Sequence, residues 1–260
     1  MTKKLDFQTA PGHQILAAAG KQTLRPGGRT ATEQLFAWAD FQQGENVLEL
    51  AASFGYSAIA LARRYGVRVV GIEKNPDSVA RARANVAAAG LSDRVEIVEG
   101  DIFQLEHLAE QFDYVLAEAI LTMQSPPGKA KIIAGICDRL KPKGLFLSHE
   151  LLVSGKDVSA INRDLATTIR VNAKPLSSDD WIAASQEAGL IVQHHSTGPM
   201  NLLNPRCIAR EEGLSTLLAI GWNMLTRPVL RQRILSMRQV FNRYGSDLGY
   251  IVFCAQKPAS

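Results

Sequence analysis

Cysteine is scarce in this chain of 260 residues: Cys137, Cys207 and Cys254 are odd in number and far apart. That argues against a disulfide framework or a CxxC metal site, and a reducing, cytoplasmic setting is expected. No run of about 18 apolar residues exists, so no membrane-spanning helix is expected. The apolar stretch from Ile15 to Ala19 is too short for a signal segment. Charge of one sign is not in large excess either: 29 basic residues against 25 acidic ones leave a formal net charge of +4. A membrane is not an expected partner, and neither is a nucleic acid unless basic side chains cluster locally. Internal repeats and low-complexity segments are also missing.

Apolar residues make up 46% of the chain and charged residues 21%, which suits a soluble protein able to bury a large core. Residues 1–44 read as a front piece of helices and turns, with a breaker at Arg25-Pro26-Gly27-Gly28 and a helix from about Thr30 to Ala39. From Asn46 onward, short β-branched runs alternate with helical stretches. Strands are predicted at Val47–Leu50, Val67–Ile72, Val95–Val98, Phe112–Ala117 and Leu145–Ser148. The clearest helix starts at Asn75-Pro76, a capping side chain followed by a proline suited to the first helical position. A second is predicted over Lys129–Leu140, led by the turn Ser125-Pro126-Pro127-Gly128. This pace of strand and helix implies βαβ units, hence a doubly wound α/β fold with a mostly parallel sheet. In the tail, a helix over Ser177–Ala188 and a strand over Ile191–His195 precede a mainly helical stretch, 206–244, and a last strand over Gly249–Ala255. Leu217, Leu218, Trp222, Leu225, Ile234, Met237 and Phe241 in that stretch suit a packed lid. Its many arginines read as a solvated face, with binding of phosphate or an acidic substrate as the alternative.

Ligands of such sheets sit at the carboxyl ends of the strands. The first strand runs into Glu49-Leu50-Ala51-Ala52-Ser53-Phe54-Gly55, where small residues at 51, 53 and 55 permit close approach to the backbone. The second ends at Glu73, beside Lys74, about 20 residues further on, the place for an acid that binds ribose hydroxyls. The third leads to Gly100-Asp101-Ile102, a carboxylate suited to the adenine amine and a side chain suited to its ring. Read singly, these are equally a compact turn, a solvated acid and a Gly-Asp turn. Glu118 ends the fourth strand, as a ligand-facing acid or a loop carboxylate.

Taken together, residues 45–150 and the last strand resemble the class I S-adenosylmethionine-dependent methyltransferases. The family's acid and alternating glycines are matched by Glu49, Ala51, Ser53 and Gly55, with two glycines replaced by other small residues. Its ribose acid is matched by Glu73 and its adenine acid by Asp101. The resemblance implies a Rossmann-like sheet of seven strands with the last antiparallel, a helical cover, and S-adenosylmethionine as cofactor. It implies a cofactor-binding domain over 45–260, with residues 1–44 and helical insertions near 155–180 and 200–245 supplying the cover and substrate pocket. Gly28, Lys74, Ile102 and Glu118 complete the expected cofactor set. His149, taken as the end of the fifth strand, is a candidate base, with a structural histidine as the alternative. No metal site is expected. The expected acceptor is a small organic molecule, and the chain a monomer or homodimer. An RNA methyltransferase is one alternative. A nicotinamide-dependent oxidoreductase is another, although the chain lacks the GxGxxG turn and the Tyr-x-x-x-Lys dyad.

Overall fold

The apolar runs become strands because each is short, rich in β-branched residues and bounded by breakers. In the computed structural model, which describes residues 5–259, they are β1 (Asn46–Leu50), β2 (Arg68–Glu73), β3 (Val95–Glu99), β4 (Phe112–Glu118), β5 (Leu140–Val153), β6 (Ile191–Pro199) and β7 (Leu248–Gln256). They form one seven-stranded sheet in the order β3-β2-β1-β4-β5-β7-β6. β1 runs parallel to β2 and β4, whereas β7 is antiparallel to both β5 and β6. Strand order reverses between β1 and β4, so the ligand crevice opens at their carboxyl ends.

Helices cover both faces, which is why β1 and β4 are apolar almost throughout. On one face lie α2 (Gly28–Ala39), α3 (Tyr56–Tyr65) and α4 (Pro76–Ala88). Their Leu35, Leu61 and Val79 pack with Val47, Leu116 and Val252 of the sheet. On the other face lie α5 (Pro126–Arg139) and α7 (Ser178–Glu187), where Ile132, Ile133 and Trp181 meet Leu48, Ile72 and Phe146. The Asn75 side chain caps α4 by accepting from the Ser78 amide at 3.0 Å, as its sequence signature predicts. A third apolar cluster stands apart from the sheet. It joins α1 (Gly12–Ala19), α6 (Val158–Ile169), α8 (Pro205–Glu212), α9 (Leu214–Thr226) and α10 (Pro228–Arg243) into a helical cap.

The structure departs from the sequence reading in four places. β5 begins at Leu140 and continues to Val153, because β7 pairs with it as far as Val153↔Leu248. His149 therefore lies in mid-strand, not at a strand end. α5 starts at Pro126, with Ser125 as its cap, so the Pro-Pro turn is the first turn of the helix itself. Helix α2 lies against the sheet, while α1 from the same front piece joins the cap. Finally, the lid of the tail is packed on one side only. Ile234, Met237 and Phe241 of α10 are buried, but Leu214, Leu218, Trp222 and Leu225 of α9 face outward. α9 is uncharged, and the cap meets the side that carries Thr216 and Ile220.

Candidate active site

The turn from β1 into α3 is held by backbone bonds: the Ala52 amide donates to the Ile72 carbonyl at 2.9 Å and the Gly55 amide to the Ala52 carbonyl at 2.8 Å. This winding puts Ala51 at φ 54° and Ser53 at φ 50°. Both are left-handed, the conformation for which glycine is the unstrained residue. A side chain in that region costs about 1–2 kcal/mol, against the 0.4–1 kcal/mol or so that glycine loses through its freer unfolded chain. Ala51→Gly and Ser53→Gly are each expected to stabilise the protein by about 0.5 kcal/mol, read in urea unfolding as a higher midpoint at unchanged slope. A lower midpoint for both variants would remove the strain argument.

Because β1, β2 and β3 are neighbours in the sheet, three strand ends align along this turn. The Glu73 carboxylate spans it, accepting from the Ser53 amide at 2.9 Å and the Asn75 amide at 2.8 Å, one oxygen each. Asp101 accepts from the Phe103 amide at 3.0 Å and from the Lys74 ammonium at 2.7 Å. The Lys74 hydrogen bond, then that of the Phe103 amide, hold the Asp101 carboxyl below its ordinary range. Lys74 itself is largely exposed and Ile102 is half-buried beside them. The sequence-derived set of turn, Glu73, Lys74, Asp101 and Ile102 thus lies together on one edge.

A buried polar cluster sits at the ends of β1 and β4. The Arg25 guanidinium lies 2.9 Å from a Glu118 oxygen and donates to the Thr32 hydroxyl at 2.8 Å. Glu118 also accepts from Thr32 at 3.1 Å and from Ser57 at 2.9 Å. Burial pushes the Glu118 carboxyl up, but Arg25, His149 and Ser57 outweigh it and hold the carboxyl at about 2. Glu49 lies alongside, buried, with its Oε2 meeting no partner. Burial and then the Glu118 charge raise Glu49 to about 8, against weaker pulls from Arg25, the Ala58 amide and Ser57. Two acids in one site split in this way, and the one beside the cation keeps its charge.

His149 stitches this cluster to the front segment. Its Nε2 donates to the Pro26 carbonyl at 2.6 Å, and its Nδ1 faces Thr32 at 3.5 Å and Glu118 at 3.8 Å. Fully buried and engaged at both nitrogens, it holds the 25–28 segment in place. Glu150, the next residue, points to the opposite face and accepts from the Leu121 and Thr122 amides at 3.0 and 2.8 Å. The cap grips the same front segment from outside. Glu212 pairs with Lys21 and accepts from the Gln22 amide at 2.7 Å, and Glu211 accepts from the Arg29 amide at 3.2 Å. Gly27 and Gly28 are threaded between Tyr250 and Glu211 with φ of 73° and 57°, and a Cβ at either would overlap those side chains. Gly28 lines a cavity of about 100 Å³ with Lys21, Arg25 and Tyr250, and its carbonyl faces the Thr32 hydroxyl at 3.4 Å.

Arg25, Thr32 and Ser57 escaped sequence reasoning. Arg25 looked like part of a breaker, and only the fold carries it to Glu118, 93 residues later. Among the described residues, no group of three or more His, Cys, Asp or Glu side chains is placed to hold a metal.

A family model described as a methyltransferase domain matches residues 47–144. A protein of Haemophilus influenzae described only as uncharacterized is 35% identical over 246 residues, covering 95% of this chain and 98% of that protein. A methyltransferase of Streptomyces halstedii is 28% identical over 64% of this chain and 60% of its own length. A solved S-adenosylmethionine-dependent methyltransferase from Geobacter sulfurreducens, in complex with S-adenosylhomocysteine, superposes with a TM-score of 0.67 at 18% identity. That match covers 93% of this chain and 97% of the other, and is a likeness of fold. These matches set aside the oxidoreductase alternative. With its strand order, its turn after β1 and the acids ending β2 and following β3, the chain belongs to the class I S-adenosylmethionine-dependent methyltransferases.

Proposed function

We propose that this chain transfers a methyl group from S-adenosylmethionine to a small organic acceptor. The observation that carries the cofactor assignment is the aligned edge of the β1 turn, Glu73 and Asp101. The residues present fit the group. Glu73 is oriented by two amides and retains free lone pairs for ribose hydroxyls. Asp101 retains acceptor capacity for the adenine amine beside Ile102, and the orphaned Glu49 oxygen awaits a cation or donor. When bound, the cofactor supplies a methyl group already activated on a sulfonium. The chain contributes position and exclusion of water. Glu118, held at about 2, is a weak base, Glu49 is protonated at neutral pH, and His149 acts as a positioning residue.

The small-acceptor reading is supported by the tied-down front segment. The front segment is clamped by His149, Glu211 and Glu212, and Arg25 is taken up by Glu118. A nucleic acid would need a broad cleft with free cations. The test follows release of S-adenosylhomocysteine from the full chain against pools of small amines, alcohols, thiols and carboxylic acids, with total RNA in parallel. Turnover in a small-molecule pool is expected, whereas turnover with RNA alone would overturn the small-acceptor reading.

A pH dependence follows from Glu49. Free Glu49 holds its proton below about 8, whereas a neighbouring cationic ligand favours the carboxylate. Binding of S-adenosylmethionine then releases a proton and weakens as pH falls below that value, by up to about tenfold per unit. The cofactor's own α-amino group titrates in the same window, so the slope is read as the difference between the wild type and Glu49→Gln. Parallel profiles for the two proteins would refute the assignment.

A further inference from the structure

We infer that the α9–α10 hairpin is a docking face for an anionic membrane surface. Four residues on one side of α9, Leu214, Leu218, Trp222 and Leu225, are 66–74% exposed. Their spacing of 4, 4 and 3 residues puts them on one helical stripe. The stripe lies opposite the buried Thr216 and Ile220 and extends for about 16 Å at 1.5 Å per residue. α9 carries no charged residue at all. A contiguous apolar face of this kind is uncommon on a surface that meets only water.

The charge on the following helix selects the partner. From Gly213 to Ser246 there is no Asp or Glu, but there are Arg227, Arg231, Arg233, Arg238 and Arg243. Arg233 is turned inward onto the carbonyls of Gln8 and Thr168, and Arg243 meets Asp164. Arg231 and Arg238 are exposed, and among the described residues no carboxylate pairs with them. They flank the half-exposed Leu235 at intervals of 4 and 3 residues on α10. The nearest preceding acids, Glu211 and Glu212, are committed to the front segment. The hairpin therefore presents Trp and Leu with arginine as its only charge. That composition suits the boundary of an anionic bilayer, where the indole and leucines enter the acyl edge and the guanidinium groups meet lipid phosphates. A second copy would bring arginine toward arginine with no acid to answer it, so self-association is the weaker match.

The cap that carries this face also carries the two acids that clamp the front segment beside the site. Among the described residues no helix is long and apolar enough to cross a membrane, and the contact inferred is a peripheral one.

The test is co-sedimentation of the full chain with phosphatidylcholine vesicles, with and without phosphatidylglycerol, at low and raised salt. Binding is expected only to the anionic vesicles, and weaker at raised salt. Trp222→Ser is expected to reduce it by at least about tenfold. Arg231→Gln with Arg238→Gln is expected to reduce it by about thirtyfold at low salt. These side chains are exposed, so unchanged thermal unfolding shows that the variants remain folded. Absence of binding, or equal binding to neutral vesicles, overturns the proposal. A concentration-dependent dimer in light scattering that Trp222→Ser abolishes would assign the face to a second copy and overturn it as well.

Discussion

Replacing Glu73 with alanine is expected to weaken S-adenosylmethionine binding by about a hundredfold. The carboxylate joins the β1 turn to the start of α4, through the Ser53 and Asn75 amides. Its remaining lone pairs are directed by that geometry and suit two neighbouring hydroxyls. Hydrogen bonds to a charged group are each worth about 1.5–3 kcal/mol, and about 2.7 kcal/mol corresponds to the expected hundredfold. Glu73→Gln keeps one acceptor oxygen and is expected to lose about tenfold. Calorimetric titration with S-adenosylmethionine measures both, and thermal unfolding separates binding from folding. Glu73 is only half-buried, so water can satisfy the amides that Glu73→Ala frees, and a loss of about 1 kcal/mol in stability is expected. An unchanged Kd for Glu73→Ala would sink the assignment of the ribose site.

Arg25→Met is expected to destabilise the protein by about 3 kcal/mol, because it strands a charge in a closed site. The guanidinium is the cation that lets Glu118 remain ionised beside Glu49. Without it, two carboxyl groups share one pocket, and Glu118 must take up a proton or remain charged at high cost. The pH dependence gives the sign. In the wild type, the Glu118 carboxyl is depressed to about 2 from an ordinary 4.5. Its contribution is therefore present above 4.5 and lost as pH falls through 2. The gap in unfolding midpoint between wild type and Arg25→Met is expected to be wide at neutral pH and to close in acid. Adding Glu118→Gln removes the stranded charge and is expected to recover more than half of the loss, which a double-mutant cycle quantifies. A gap that stays constant with pH would mean that Arg25 acts through packing alone.

Much of the candidate site was legible because it is local. The acid and small residues from Glu49 to Gly55 span one strand end and one turn. Glu73 and Asp101 each stand at, or just past, a strand end marked by a β-branched run. Periodicity and caps located α4 and α7 closely. The extent of β5 was not legible, because its last residues are held by β7, about a hundred residues away, and have no local signal of their own. His149 was misplaced for that reason. Its neighbours Pro26 and Thr32 come from the front piece, so a role as an anchor was invisible.

What the sequence by itself determined is the doubly wound sheet and the order of its acids, since both follow from short-range pattern and spacing. The conformations of Ala51 and Ser53 belong partly to it as well, because the tight turn demands left-handed backbone whatever residue occupies it. Only the tertiary structure decided the charges at the site. Arg25 selects Glu118 as the ionised acid and leaves Glu49 protonated, a choice set by a few ångströms in a buried volume. Only packing decided which side of the apolar helix α9 is covered. Hydrophobicity ranks residues for burial, but a residue is buried only where another surface comes to meet it.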